Sequence, residues 1–205
     1  MYTSIDIKTW ERKEHFEFFN ALNNPYWGVV ATVNTEKAKS RAKSLNQSLY
    51  SYYLHAVLKA INKIPAFRLR VQNEDIVLFD KINVSPTTFR EDKSFGFSFV
   101  EFNEDSSEFD RALKHEMLHV QSTSGINLTE NASRVDVIHF SALPWIHFSS
   151  LSHATSFQKG QSVPRVSVGK IIDHQMPVSL EMHHGFADGY HAGLFFEQLQ
   201  FELDK

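Results

Sequence analysis

Strict alternation of apolar and polar residues marks the clearest strand in the chain, Val178-Ser179-Leu180-Glu181-Met182. Successive side chains of a strand point to opposite faces, so Val178, Leu180 and Met182 share one face and Ser179 and Glu181 the other. The alternation breaks at Gly185, and a helical period takes over from about Asp188, with Ala192, Phe195, Phe196, Leu199 and Leu203 on one stripe. Further strands are expected over Phe67–Val71, Phe95–Val100, Val135–Leu143 and Val166–Ile172. A turn at Asn73-Glu74-Asp75 leads into Ile76–Phe79, which pairs the first of these into a hairpin. Helices are expected from Glu36, capped by Thr35, from about Leu49 to Ile64 with a stop at Pro65, and from Asp105 to Gln121. Strands and helices are interspersed without repeat or linker, which predicts one α/β layered domain over residues 1–205.

Composition narrows the function classes. The 205 residues carry a formal net charge of -3, so no basic field points to nucleic acid or an anionic membrane. There is no cysteine, which excludes disulfides, zinc–thiolate sites and a cysteine nucleophile. No apolar run is long enough to span a bilayer, and the first residues lack a secretory pattern, so a cytoplasmic enzyme is expected. The 18 phenylalanines suggest an aromatic core, an apolar pocket or a subunit interface.

His183-His184-Gly185-Phe186-Ala187-Asp188-Gly189 carries the sharpest chemical signal. It lies between the alternating strand and the last helix, where rigid backbone aims a side chain into a cleft. An imidazole suits general-base work near neutral pH. Asp188 is placed to cap the helix.

His115-Glu116-Met117-Leu118-His119 competes with it, because its letters match the zinc motif His-Glu-x-x-His. No Gly-x-x-His follows His119, and Glu130 is close in sequence for a third ligand. An amphipathic helix with Phe109, Leu113, Met117 and Val120 inward accounts for the same residues, and the zinc hydrolase is the remote alternative.

The His-His-x-x-x-Asp-Gly pattern resembles that of the coenzyme A-dependent acyltransferases, and the stretch from His183 to Gln200 looks most like the chloramphenicol acetyltransferase family. Three other segments resemble the same family in the same order: Trp10 to Phe19, Tyr50 to Arg70, and Ser141-Ala142-Leu143-Pro144-Trp145. The resemblance implies a two-layer sandwich with a mixed β-sheet packed against helices. It also implies acetyl transfer from acetyl-CoA to a hydroxyl of chloramphenicol, with no metal.

By that resemblance His184 is the base, Ser141 donates to the oxyanion, and Asp188 pairs with Arg12 to hold the loop. Trp145, Ser167 and Lys170 lie along the coenzyme A channel, and Phe19, Phe95, Leu151 and His153 line the acceptor pocket. The family's homotrimer implies sites between subunits, with a small molecule as partner and neither nucleic acid nor membrane. The acceptor side departs from the family's pattern: larger apolar residues are expected around Leu151 and His153. A polar His153 in an apolar pocket costs free energy unless it finds a partner. A different small hydroxyl acceptor is therefore the alternative substrate.

Overall fold

The computed structural model describes residues 1–154 and 160–205. In chain order the elements are β1 (Tyr2–Ser4), α1 (Lys13–Asn20), β2 (Tyr26–Asn34), α2 (Glu36–Ser44), α3 (Leu49–Lys63), β3 (Leu69–Gln72), β4 (Asp75–Phe79), β5 (Asn83–Phe89), β6 (Phe95–Phe97), α4 (Ser106–Gln121), β7 (Val137–Leu143), β8 (Arg165–Gly169), β9 (Gln175–His183) and α5 (Gly189–Asp204). Six strands form a mixed sheet in the order β2-β9-β8-β7-β5-β6, in which β5, β7 and β8 run parallel and the other pairs are antiparallel. A small antiparallel sheet, β1-β4-β3, stands apart from it.

One face of the large sheet supplies Ile138, Phe140, Val166, Val168, Val178 and Leu180, which share a buried cluster with Leu54, Leu58, Phe109, Phe195 and Leu199 of the helices. Burying each such side chain stabilises the fold by about 1.5–3 kcal/mol. The opposite face is polar. Register aligns Ser141, Ser167 and Ser179 across β7, β8 and β9, and sets Arg165 opposite Glu181 in the row beside them. The result is the two-layer α/β arrangement expected from the sequence.

Local chemistry fixes the helix starts. Ser48 accepts from the Ser51 amide at 3.0 Å. Asp105 accepts from the amides of Ser107 and Glu108 at 2.8 and 3.1 Å. Ahead of α2 the cap comes from Asn34, whose Oδ1 accepts from the Glu36 amide at 2.8 Å. The Thr35 hydroxyl, expected in that role, donates instead to the His174 carbonyl at 3.0 Å.

Four strands differ from the sequence reading: β7 starts at Val137 rather than Val135, β8 runs Arg165–Gly169 rather than to Ile172, and the other two have a local cause. Residues Pro65–Arg68 form a 3-10 turn, so β3 starts at Leu69 rather than Phe67. The strand expected over 95–100 is regular only through Phe97. The Ser98 amide donates to the Pro86 carbonyl at 2.9 Å. Proline has no N–H to return that bond, so the ladder is interrupted there and resumes as a bridge between Val84 and Val100.

Candidate active site

The turn after β9 is tied down from several sides. The His184 amide donates to the Pro25 carbonyl at 2.8 Å, and the amides of Phe186 and Ala187 both donate to the His183 carbonyl. The half-buried His184 ring stacks on Phe19 at 4.0 Å between centroids and leans on Trp27 at 5.2 Å. Its Nδ1 lies 3.2 Å from the Ala187 carbonyl, which also accepts from Trp27 Nε1 at 2.9 Å. A carbonyl can only accept, so this contact assigns the proton to Nδ1. In the tautomer with one proton, the lone pair is then on Nε2.

His183 does something different. It is buried among Phe16, Phe186 and Tyr26. Its Nδ1 accepts from the Gly185 amide at 3.1 Å. Burial and the neighbouring His184 lower its pKa to about 4, so the ring stays neutral and braces the turn.

Asp188 closes the turn. Its carboxylate accepts from Arg12 Nη1 at 2.9 Å, from the Tyr190 amide at 3.1 Å, and pairs with His191 Nδ1 at 2.9 Å. Arg12 Nε also donates to the Gly185 carbonyl at 3.3 Å. Burial alone would raise the Asp188 pKa, but the hydrogen bonds from His191 and Arg12 outweigh it and bring the group to about 2.

A second constellation occupies the polar face of the sheet. His153 Nδ1 meets Glu181 Oε2 at 2.9 Å, and His153 Nε2 meets Ser167 Oγ at 2.9 Å. Arg165 donates to the same Glu181 oxygen at 2.9 Å and lies over the Tyr26 ring at 4.4 Å. The expected cost of a polar His153 is thus met by partners. Beside this network lies a cavity of about 350 Å³ lined by Phe95, Phe97, Ser141, His153 and Ser167. A neighbouring cavity of about 470 Å³ adds Trp145, Leu151 and Phe89.

The site residues read from the sequence therefore fall into two groups. Arg12, Phe19, His184 and Asp188 come together at the end of β9. Ser141, Trp145, Leu151, His153, Ser167 and Phe95 surround the two cavities. Lys170, itself exposed, joins neither group; its amide donates to the Ile146 carbonyl at 2.7 Å and its carbonyl meets His147 Nδ1 at 2.8 Å. Within one chain the groups are well separated. Ser141 aligns with Ser179, five residues before His184 and two strands away. At about 3.3 Å per residue and about 4.8 Å per strand, their Cα atoms lie roughly 19 Å apart.

Sequence reading missed Glu181 and Arg165 as members of the site. Glu181 was visible as a polar position of the alternating strand, but only the register of β8 against β9 brings Arg165 to it. The zinc pattern stays incomplete: His115 and His119 lie one turn apart on the exposed face of α4, and Glu116 between them accepts from the Phe99 amide at 3.1 Å. Among the described residues, no group of three or more His, Cys, Asp or Glu is placed to hold a metal ion. No helix among them is long and apolar enough to cross a membrane.

A histidine presented by a strand end ahead of an Asp-capped helix, on a mixed sheet backed by helices, defines an acyltransferase of the coenzyme A-dependent class. The same fold occurs in a dihydrolipoamide acetyltransferase from Azotobacter vinelandii, with a TM-score of 0.66 at 14% identity, covering 91% of this chain and 84% of that one. More narrowly, the chain belongs to the chloramphenicol acetyltransferase family, whose model matches residues 1–200. A solved chloramphenicol acetyltransferase superposes with a TM-score of 0.91 at 31% identity, over 99% of this chain and 100% of that one. A chloramphenicol acetyltransferase from Klebsiella sp is 25% identical over 215 residues, covering 100% of this chain and 94% of the relative.

Proposed function

We propose that the protein transfers the acetyl group of acetyl-CoA to a hydroxyl of chloramphenicol, which inactivates the antibiotic. Membership of the family over nearly the whole chain carries this reading. His184 Nε2 takes the proton of the acceptor hydroxyl as its oxygen attacks the thioester carbonyl. Ser141 donates to the oxyanion that forms, a contribution of about 3 kcal/mol for a preorganised donor. When the tetrahedral adduct collapses, the C–S bond breaks and the protonated His184 returns its proton to the leaving thiolate. Base and donor complete the reaction without a metal step.

His184 and Ser141 cannot reach one reacting carbon from a single chain across roughly 19 Å. Their separation supports a homotrimer in which His184 of one copy faces the cavity beside Ser141 of the next. Trp145, Ser167 and Lys170 then lie toward coenzyme A, and Phe19, Phe95, Leu151 and His153 toward the acceptor. Arg12 and Asp188 hold the turn without touching substrate. The cytoplasm, where acetyl-CoA is at hand, is the compartment this chemistry suits.

Incubation with acetyl-CoA and a thiol reagent tests the substrate. Coenzyme A release that depends on added chloramphenicol is expected, and release at the drug-free rate rejects this acceptor. One observation favours a second reading. The network of His153, Glu181 and Arg165 gives the cavity a polar wall, which suits a small hydroxyl acceptor more polar than chloramphenicol. A panel of alcohols under the same assay separates the two.

A further inference from the structure

The geometry points to a second activity in the cavity beside Ser141: we propose that Ser167, His153 and Glu181 form a nucleophile–base–carboxylate triad that hydrolyses small acyl esters. Ser167 Oγ and His153 Nε2 are 2.9 Å apart, and His153 Nδ1 and Glu181 Oε2 are 2.9 Å apart. Both spacings fall within the reach that activates a serine through an oriented imidazole, a constellation recognised by geometry and not by chain order or fold.

The protons sort themselves from the acceptor end. A carboxylate only accepts, so His153 carries a proton on Nδ1, and the neutral ring then offers its Nε2 lone pair to the Ser167 hydroxyl. Burial would raise the Glu181 pKa, but His153 and Arg165 hold the carboxyl below its ordinary value and therefore ionised. Arg165 fixes that carboxylate at 2.9 Å while resting on the Tyr26 ring. The three members come from β8, from the segment after β7, and from β9, and two of the elements are rigid strands.

The surroundings supply the remaining parts. Ser167, 1% exposed, is among the residues lining both cavities, and its in-register neighbour Ser141 lines the same space. Ser141 is the hydroxyl donor for the developing oxyanion. Phe95, Phe97 and Leu128 give one side of the cavity an apolar wall, which fits a short acyl ester of an aromatic alcohol.

In the first half-reaction the Ser167 O–H bond breaks, its proton moves to His153 Nε2, and Oγ bonds the ester carbonyl carbon. The ester C–O bond then breaks and the alcohol leaves with the proton from Nε2. Water attacks the acyl-serine in the second half, giving a proton to His153, and the returning proton restores Ser167. The net products are a carboxylic acid and an alcohol.

The test uses the full chain with neither coenzyme A nor chloramphenicol, so its outcome is independent of the acetyl-transfer reading. Wild-type protein is incubated with a fluorophosphonate probe and the adduct is mapped by peptide mass spectrometry. Hydrolysis of 4-nitrophenyl acetate is followed in parallel. One adduct per chain on Ser167 is expected, with hydrolysis lowered about 100-fold in both Ser167→Ala and His153→Ala. A wild-type chain that takes no adduct, or takes it elsewhere, overturns the proposal without recourse to any variant. Wild-type rates of hydrolysis in folded Ser167→Ala overturn it as well.

Discussion

Arg12 and Asp188 stand 176 positions apart in the chain, yet Arg12 Nη1 and Asp188 Oδ2 meet at 2.9 Å. The pair joins the start of α1 to the cap of α5, and the turn that presents His184 is closed between them. Asp188→Ala removes the cap on the Tyr190 amide and leaves the guanidinium without its carboxylate. A loss of roughly 1–3 kcal/mol is expected in chemical denaturation, together with slower acetyl transfer. The carboxyl has its pKa lowered from 3.8 to about 2, so its contribution is complete above about pH 4 and disappears as the pH falls toward 2. A variant with wild-type stability and rate contradicts this account of the turn.

His183 predicts an acid sensitivity of its own. Its pKa falls from 6.5 to about 4 on folding, because the ring is buried and sits beside His184. Above pH 6.5 both folded and unfolded chains leave it neutral. Between about 6.5 and 4 the unfolded chain binds a proton that the folded chain refuses, so stability drops as pH drops, by up to about 1.4 kcal/mol per pH unit. His183→Gln keeps an acceptor for the Gly185 amide but does not titrate. Melting temperatures across this range are expected to slope less steeply in the variant, and an unchanged slope removes His183 as the source.

Gly185 is fixed by space. A Cβ there would come within 2.8 Å of Phe16 Cα and 3.0 Å of His183 Cε1. The first of these is backbone and cannot swing aside. Gly185→Ala should therefore cost about 1–3 kcal/mol and displace the imidazole that follows β9. Thermal unfolding and kcat read the two effects, and a variant unchanged in both shows that the turn has slack.

Mixed assemblies test the shared site. His184→Ala and Ser141→Ala chains, each weak alone, are unfolded together and refolded. If His184 and Ser141 act from neighbouring copies, some sites recover both native residues and activity rises above that of either parent. No recovery in a trimer of verified mixed composition assigns both residues to one chain.

Much of the fold was legible in the sequence. The alternation of 178–182 and the stripe through Phe195 and Leu199 identify β9 and α5, because one covered face imposes one period on each. β2 and β5 escape this reading for physical reasons. Several positions of β2 are partly covered on both faces, which blurs the alternation, and β5 carries Pro86 in its middle. At the site, His184, Asp188 and Arg12 follow from the motif and the family's pattern. The bond of His153 to Glu181 and Ser167 does not, since it depends on strand register and on a segment folded back over the sheet.

Everything in the acetyl-transfer mechanism passes through the Nε2 lone pair of His184. The most direct measurement is the chloramphenicol-dependent release of coenzyme A by wild-type protein and by His184→Ala at equal concentration of folded chain. The mechanism predicts a fall of at least about 100-fold in kcat for the variant. Retention of most of the wild-type rate by His184→Ala contradicts it.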